Sequence, residues 1–480
     1  MMLLSKKRKL EHEIKAASTY EEWRQAAIAY DEATGLDRWK RNDPSRDYDY
    51  VSIRVRLDRL RSARAKHDYH GLLFNLNEGI HGNMGGMGNS ALYHRARFGT
   101  KKLIEDYVEE IVDALELLGD RDMDEISVEE KLDFFRRAQH CFGQSALMMS
   151  GSGMLLYFHV GVVKALWEQR LLPNIMSGSS GGSFVGSVLA THSDNELEKL
   201  FDPEYLVHEI EEAKGLIRGA LDKFRPSILT ADEIRGVVER LVPDMTFQEA
   251  YEKSKRHVNI SIAPAETHQT SRLLNATTSP NVFIREAIMA SAAVPGVYPP
   301  VTLAAKNKYG ERQPYLPSRR WVDGSMSDDL PAKRLARLYG VNHYIVSQTN
   351  PHIIPFIGDD KRKQDVMSVI TTATTRTARE WLNASVSILR KPISKRPALQ
   401  RMTDSILSVI NQDYVGDINI LPPYRVHRPT KILAHLTEKE IMALIEMGER
   451  ATWPKIEMIR IQTSISRTLD RIRNSYEIQT

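Results

Sequence analysis

Residues 174–190 read NIMSGSSGGSFVGSVLA, and this stretch decides the expected fold. The short apolar run Asn174–Ser177 favours a strand, the glycines and serines after it favour a sharp turn, and the residues up to Ala190 favour a buried helix. Within that helix Gly182, Gly186 and Ala190 recur every fourth residue, so one face carries little more than backbone. The stretch therefore predicts a strand–turn–helix unit of an α/β core.

The turn in this stretch matches the pattern G-x-S-x-G, with Ser180 at its centre. A nucleophilic serine on a strand-to-helix turn needs small neighbours, and Gly178 and Gly182 let other backbone segments pass close to it. The amino-terminal end of the following helix adds N–H groups and a positive dipole end, which favour a developing anion. We therefore predict Ser180 as a nucleophile; the alternative is a structural loop rich in serine and glycine.

A second glycine-rich turn, Gly151-Ser152-Gly153, follows the strand candidate Ala146–Met149. Such a loop forms a nest of backbone N–H groups that holds an oxyanion. A dinucleotide-binding loop would need a glycine where Leu156 stands, and a phosphate-binding Walker loop would need Gly-Lys-Ser/Thr, which is absent. The loop is therefore a candidate oxyanion hole, although an isolated turn of this kind is more often structural.

A serine nucleophile needs a base, and Asp323 is the candidate. It follows the apolar pair Trp321-Val322 and precedes Gly324, where a strand would end in a turn. Asp-Gly is also a common turn sequence, so spacing alone leaves this role open. His343 and His352 stay candidates for the third member of a Ser, Asp, His triad.

The residues around these motifs indicate three regions. From 141 to 350, short apolar runs alternate with helical patterns, which predicts a mostly parallel sheet covered by helices. Residues 1–140 and 351–480 are richer in charge and mostly helical in pattern. The strand candidates of the central region are Ala146–Met149, Asn174–Ser177, Val258–Ala263, Arg272–Leu274, Arg320–Val322 and His343–Val346.

The composition excludes several classes of protein. With 480 residues, 42% hydrophobic and 27% charged, the chain is an ordinary globular one of two or three domains. A net charge of +4 is too balanced to indicate a nucleic-acid binder. The single cysteine, Cys141, forms neither an intramolecular disulfide nor a thiolate zinc site, which is compatible with a reducing compartment. His67 and His70 lack further ligands, and Asp328-Asp329 lacks the alternation of a calcium loop, so no metal is predicted.

Four segments of the sequence bear on export and on contact with a membrane. The amino terminus MMLLSKKRKL lacks the pattern of an export signal. The nearly uncharged segments Cys141–Val163 and Leu171–Ser193 are broken by glycines, so we expect buried core units and no membrane span. The segment Arg376–Arg401 holds seven basic residues and one acid, with Trp381 and Leu389 on one helical face. It is either a core helix or an interfacial helix on an anionic membrane.

The central motifs resemble those of the patatin-like lipid acyl hydrolases. In that family a glycine-rich oxyanion loop, a G-x-S-x-G serine and a later Asp-Gly are found, here Gly151–Gly153, Ser180 and Asp323-Gly324; the segment Ala287–Pro300 also looks like the one that precedes the aspartate. Further segments resemble the triacylglycerol lipase branch of fungi and plants: Trp39-Lys40, Arg61, Gly85-Gly86, Asn89, Leu92-Tyr93, Gly99-Thr100-Lys101, Ile345–His352 and Gly448–Ile456.

This resemblance implies a patatin-like three-layer sandwich and hydrolysis of neutral-lipid esters by a Ser180–Asp323 dyad, with no histidine, metal or cofactor. The implied substrate is lipid at a membrane or droplet surface, reached by a cytoplasmic, peripherally bound protein; no nucleic-acid partner is expected, and the oligomeric state stays open. Ser152 replaces a usual glycine, and Met154-Leu155 stands where many relatives carry a basic residue. The alternatives are a phospholipase A or lysophospholipase, and a catalytically silent lipid-surface scaffold.

Overall fold

The computed structural model describes residues 2–120, 122–202, 205–206, 208–209, 212, 229–266, 269–349, 416–423 and 433–477. The predicted basic segment Arg376–Arg401 and His352 lie outside these residues. The described strands are β1 Gln144–Met149, β2 Ile175–Gly178, β3 His257–Pro264, β4 Arg272–Leu274, β5 Leu303–Lys306, β6 Arg312–Tyr315, β7 Trp321–Asp323, β8 Val341–Ser347 and β9 Ile418–Ile420.

The described α-helices, numbered in chain order, are α1 Met2–Ala16, α2 Tyr20–Thr34, α3 Leu36–Arg41, α4 Tyr50–Ala65, α5 Tyr69–Gly79, α6 Ser90–His94, α7 Lys102–Gly119, α8 Val128–Phe142, α9 Leu156–Glu168, α10 Gly181–Thr191, α11 Asp194–Leu200, α12 Ala231–Leu241, α13 Phe247–Ser254, α14 Ile284–Ser291, α15 Ser325–Asp328, α16 Ala332–Tyr339, α17 Glu438–Thr452 and α18 Ile456–Glu477.

The central sheet is mostly parallel. Its order is β4-β3-β2-β1-β8-β9, with β7 also paired to β3. The pairs β3–β2, β2–β1, β1–β8 and β8–β9 are parallel, whereas β4 and β7 run antiparallel to β3. The predicted α/β fold class, with a mostly parallel sheet and flanking helical regions, is confirmed. The hairpin β5–β6 and strand β9 were not among the sequence-based strand candidates.

Both faces of the sheet are covered, as alternation along β1 shows. Leu147 and Met149 belong to the large core that includes Phe158 of α9 and Val185 of α10. Ala146 and Met148 point to the other face, into the core that includes Leu335 of α16. Because successive strand residues point to opposite faces, a strand with both sets buried must lie between two layers of helices.

The amino-terminal helices and the last helix share one core with the sheet. Leu57 of α4, Leu115 of α7, Phe135 of α8 and Leu469 of α18 are all buried in the cluster that also contains Leu147 of β1. Helix α18 is therefore packed against the amino-terminal helices rather than standing as a separate unit. None of the described helices is long and apolar enough to cross a membrane.

Candidate active site

The turn after β2 holds Ser180 in an unusual backbone conformation. Ser180 has φ 49° and ψ −122° and caps the amino-terminal end of α10. A positive φ is rare for a residue with a side chain, and it is a feature of serine elbows between a strand and a helix. A Cβ atom on Gly178 would lie 2.3 Å from the carbonyl oxygen of Gly182, and one on Gly182 would lie 2.5 Å from that of Met149. Only glycine fits at either position.

Hydrogen bonds tie this elbow to the rest of the core. The N–H of Ser180 donates to Ser291 Oγ at 2.9 Å, and Ser291 Oγ donates to the carbonyl of Ser261 at 2.8 Å. Ser183 Oγ donates to the carbonyl of Ser180 at 2.6 Å. Helix α14 and strand β3 thus both fix the backbone of Ser180, and its conformation is determined by tertiary contacts as well as by the turn.

Asp323 lies at the end of β7 beside the elbow, where Ile262 of β3 is its strand partner. The side chain is 3% exposed, and Oδ1 accepts the N–H of Ser325 at 2.8 Å. Burial raises the pKa of Asp323 to about 6, and the bonds from Ser325 and the side chain of Ser180 lower it in part. The side chains of Ser180 and Asp323 therefore lie close enough to interact.

The loop Gly151–Gly153 lies between the elbow and the Asp323 turn. A Cβ atom on Gly181 would lie 2.1 Å from Ser152 Oγ, and one on Gly151 would lie 2.8 Å from Ser325 Cβ. The N–H of Gly151 is already used, because it donates to Asp329 Oδ1 at 2.7 Å. In the part of the chain that the structure describes, the N–H groups of Ser152 and Gly153 have no acceptor. These two groups are the donors left for a ligand.

Two buried side chains around this loop were missed by the sequence analysis as site residues. Asp329 and His159 are both 0% exposed and hydrogen-bond the loop or its first peptide. His159 stands in the apolar run of α9, and an ionisable residue in a buried run is a signal in its own right. The sequence carries no comparable signal for Asp329, which stands in the pair Asp328-Asp329 that does not match a calcium loop.

An apolar cavity opens beside Ser180. Its described walls include Met154, Phe184, Val237 and Ile288, and Glu233 is the only charged residue among them. Glu233 Oε2 accepts from the N–H and Oγ1 of Thr230, at 2.8 and 3.0 Å, and Glu233 pairs with His435 at 3.6 Å. The cavity is suited to a hydrocarbon chain, since its described lining offers no cation for a phosphate group.

Of the histidine candidates for a triad, His343 is not brought to Ser180, and His352 lies outside the described residues. His343 Nδ1 contacts Ser145 Oγ at 3.0 Å and its Nε2 contacts Gln462 Oε1 at 2.8 Å. Ser145 and His343 lie near the amino-terminal ends of β1 and β8, whereas Ser180 follows the carboxyl end of β2. The described residues contain no group of three or more His, Cys, Asp or Glu arranged for a metal ion.

A serine elbow with a buried carboxyl at the carboxyl edge of a mostly parallel sheet is the architecture of α/β proteins that use a serine nucleophile. The family model described as "Patatin-like phospholipase" matches residues 147–336, and one described as "Domain of unknown function (DUF3336)" matches residues 1–140. The chain belongs to the patatin-like phospholipase family, as its overall similarity to curated relatives also shows.

Three relatives are similar over nearly the whole chain. "Triacylglycerol lipase ptl3" of Schizosaccharomyces pombe is 31% identical over 96% of this chain and 96% of its own length. "Triacylglycerol lipase SDP1L" of Arabidopsis thaliana is 32% identical over 95% of this chain and 57% of its own length. "Triacylglycerol lipase 4" of Saccharomyces cerevisiae is 33% identical, with coverages of 95% and 52%. The chain thus spans little more than half the length of the last two.

Proposed function

We propose that this protein is a serine lipid acyl hydrolase that cleaves carboxylic esters of neutral lipids, as a triacylglycerol lipase does, through a Ser180–Asp323 dyad. The observation that carries the proposal is the juxtaposition of Ser180, at a positive φ on a helix amino terminus, with the buried carboxyl of Asp323. The names of the similar relatives, which are triacylglycerol lipases, support the same reaction class.

The first chemical step is the attack of Ser180 Oγ on the ester carbonyl while Asp323 takes the hydroxyl proton. A carboxyl with a pKa of about 6 is a better base than an exposed one, because burial destabilises its ionised form. The protonated Asp323 then donates that proton to the departing alkoxide. Water, deprotonated in turn by Asp323, hydrolyses the acyl-enzyme and restores Ser180.

The tetrahedral oxyanion is stabilised by backbone N–H groups of the Gly151–Gly153 loop. We assign this role to Ser152 and Gly153, because the N–H of Gly151 is bonded to Asp329. The predicted oxyanion hole of three residues, Gly151–Gly153, thus has two donors in this proposal. Donors fixed before the reaction stabilise charge without reorganisation, and a single such donor contributes on the order of 10²–10³ in turnover.

The cavity walls favour a neutral ester over a phospholipid. Among its described lining residues the only charge is the acidic Glu233, so a phosphate at the cavity mouth meets no lysine or arginine there. Phospholipase A or lysophospholipase activity is the second candidate, and it follows from the description of the matching family. A catalytically silent scaffold is disfavoured because the serine, the buried carboxyl and the loop donors are all present.

The test is hydrolysis by the purified protein of triacylglycerol emulsions, phospholipid vesicles and lysophospholipid. Ser180→Ala is expected to abolish ester release and labelling by a fluorophosphonate probe, with a loss of several orders of magnitude. Ser187→Ala is the matched control, since Ser187 lies further along α10 and its hydroxyl bonds to Ser183. Labelling of folded Ser180→Ala would contradict the proposal, and release from phospholipid alone would favour the second candidate.

We further propose a division into a helical region 1–140, a catalytic region 141–350 and a region 351–480 that contacts a membrane or droplet surface peripherally. The support for the last is the basic excess of Arg376–Arg401 beside Trp381 and Leu389. Each basic side chain near an anionic surface contributes about 1 kcal/mol, which salt screens.

Charge reversal at Arg390, Lys391, Lys395 and Arg396 should therefore weaken co-sedimentation with anionic vesicles, as should raised salt. Reversal of Arg136 and Arg137 on α8 serves as a control of similar chemistry. If neither salt nor charge reversal changes co-sedimentation, the membrane contact is contradicted, and Arg376–Arg401 is better explained as a core helix.

A further inference from the structure

One peptide group, the one that joins Ser150 to Gly151, is hydrogen-bonded by side chains on both of its sides. Its N–H, on Gly151, donates to Asp329 Oδ1 at 2.7 Å. Its carbonyl, on Ser150, accepts from His159 Nε2 at 3.1 Å. Asp329 and His159 come from different elements, the segment after α15 and helix α9, and both are fully buried.

The histidine can make this bond in only one tautomer. A carbonyl oxygen only accepts, so the proton is on Nε2, and Nδ1 is free to accept from the hydroxyl of Ser347 at 2.6 Å. Burial lowers the pKa of His159 to about 4, which keeps the ring neutral at ordinary pH. Ser347 ends β8, so the ring is held by the neighbouring strand of the sheet.

The carboxyl of Asp329 is protonated, and therefore also neutral, at ordinary pH. Its pKa is raised to about 8: burial and, to a smaller extent, the nearby carboxyls of Asp323 and Asp328 raise it, whereas the bonds with Gly151 and Ser179 lower it. The guanidinium of Arg334 pairs with the carboxyl of Asp328, the residue before Asp329, at 3.2 Å. A neutral acid accepts the Gly151 N–H without placing a full negative charge beside a loop that must hold an oxyanion.

The loop needs such support because β1 ends at Met149, and Gly151 and Gly153 follow outside the strand ladder. Gly153 has φ 51°, in the left-handed region that residues with a side chain rarely adopt. Because glycine has no side chain, the loop backbone also has many other conformations open to it. Fixing the first peptide sets the direction of the chain into Ser152 and Gly153, whose N–H groups are the candidate oxyanion donors.

We propose that His159 and Asp329 are positioning residues that together clamp the Ser150–Gly151 peptide and so aim the N–H groups of Ser152 and Gly153 at the acyl carbonyl on Ser180. The inference rests on the proposed ester hydrolysis for its catalytic consequence, but the clamp itself is a property of the backbone. The clamp also connects the oxyanion loop to the chain segment that carries Asp323, since Asp329 follows it by six residues.

The activity test uses the full chain and p-nitrophenyl butyrate. Asp329→Leu and His159→Phe each remove one side of the clamp at similar side-chain size, and kcat should fall by about 10- to 100-fold with KM changed less than about twofold, because donor placement acts on the transition state. Asp329→Asn keeps an acceptor oxygen and His159→Gln keeps an amide donor, so both should restore kcat to within a few-fold of wild type.

Two matched controls separate the clamp from general damage to a buried carboxyl or ring. Asp328→Leu removes the neighbouring carboxyl, which pairs with Arg334 instead of the loop. His343→Phe removes a half-buried imidazole at the opposite end of the sheet. Both variants should keep wild-type kcat. The double variant Asp329→Leu/His159→Phe should lose little more than the worse single variant, since both act on one peptide.

A second readout, independent of activity, is amide hydrogen exchange over residues 149–154 with single-residue resolution. The Gly151 amide should exchange slowly in the wild type, in Asp329→Asn and in His159→Gln, and at least tenfold faster in Asp329→Leu and His159→Phe. If these last variants do not fold, the wild-type rate decides: a Gly151 amide that exchanges like an open loop overturns the clamp.

The clamp is also overturned by unchanged kcat in both Asp329→Leu and His159→Phe, by folded Asn and Gln variants that fail to restore kcat, or by fully multiplicative losses in the double variant. Predicted exchange rates in a wild-type protein that hydrolyses no ester would support the clamp and contradict the proposed function. The two failures are thus distinguishable.

Discussion

At the scale of single residues, burial is what makes Asp323 a stronger base than an exposed aspartate, which has a pKa near 4 and is a weak base for a serine hydroxyl. Asp323 is 3% exposed, and no cation is among the groups that lower its pKa. The carboxylate is therefore poorly solvated and its pKa is raised to about 6. Its proton affinity moves towards that of an imidazole, which provides a physical reason for a dyad to work without histidine.

The pH profile should show this shift. The base acts when ionised, and its pKa is raised, so kcat/KM should fall about tenfold per pH unit below pH 6 and level off above it, up to the range near pH 8 where Asp329 ionises. Measurement with a soluble short-chain ester avoids effects of pH on a lipid interface. A profile that breaks near pH 4 would contradict the assignment of a raised pKa to the working base.

Substitution of the base should separate a dyad from a triad. Asp323→Asn keeps the shape but cannot take a proton, so turnover should fall by several orders of magnitude with little loss of stability. His343→Ala should keep most of the turnover, because its ring lies at the other end of the strands. A folded His343→Ala protein as inactive as Ser180→Ala would overturn the dyad.

At the scale of single elements, helix α12 forms one wall of the apolar cavity beside Ser180. Ile234, Val237 and Val238 all line it, at the i, i+3 and i+4 spacing that places them on one helical face. The same helix supplies Glu233, which is retained at the cavity by its capping bonds to Thr230. The apolar face therefore packs against the core and, under the proposed function, would also contact the acyl chain of the substrate.

Filling this cavity should change chain-length preference. Val237→Phe adds bulk beside the acyl chain, so hydrolysis of a palmitoyl ester should fall by about tenfold while that of a butyryl ester changes less than about twofold. Comparison of p-nitrophenyl esters of both lengths measures the ratio. Val55→Phe, at a position that is 44% exposed on α4, should leave the ratio unchanged. Equal losses on both esters would place the acyl chain elsewhere.

At the scale of the whole molecule, helix α17 joins the carboxyl-terminal part of the chain to the catalytic core through a contact between two glycines. A Cβ atom on Gly161 of α9 would lie 1.9 Å from the carbonyl oxygen of Ile445, and one on Gly448 would lie 2.1 Å from that of Phe158. Arg450 then donates to the carbonyl of Ala17 at 3.0 Å. Helices distant in sequence are thus held together, and one of them is α9, which follows the Gly151–Gly153 loop in the chain.

Gly448→Ala should therefore destabilise the fold. Alanine is favoured over glycine in a helix by about 1 kcal/mol, but the clash is with backbone, which must move, and overpacking of this kind costs about 1–3 kcal/mol or more. A lower denaturant midpoint is the expected result. Gly79→Ala on α5 is the control, since its Cβ would meet no backbone atom and would lie 3.2 Å from the end of the Arg56 side chain and 3.4 Å from the hydroxyl of Tyr107. Equal midpoints for the two variants would contradict close packing of α9 and α17.

The sequence by itself was enough for the local units: the α/β class, six of the strands and the elbow around Ser180. These follow from alternation, apolar runs and glycine spacing, which act within a few residues of chain. It did not predict the hairpin β5–β6, because β6 is largely exposed and β5 is only four residues long, with Leu303 and Ala305 as its buried residues.

Only the tertiary structure brought Asp323 to Ser180, because β7 runs antiparallel to β3 and pairs Asp323 with Ile262 at the edge of the sheet where β2 ends. The tertiary structure also places His343 at the other end of the strands from Ser180, and it brings the side chains of His159 and Asp329 to the Ser150–Gly151 peptide. The raised pKa of Asp323 has the same origin, since it comes from burial by distant segments. Strand direction and burial depend on contacts between residues far apart in the chain, and no local pattern specifies them.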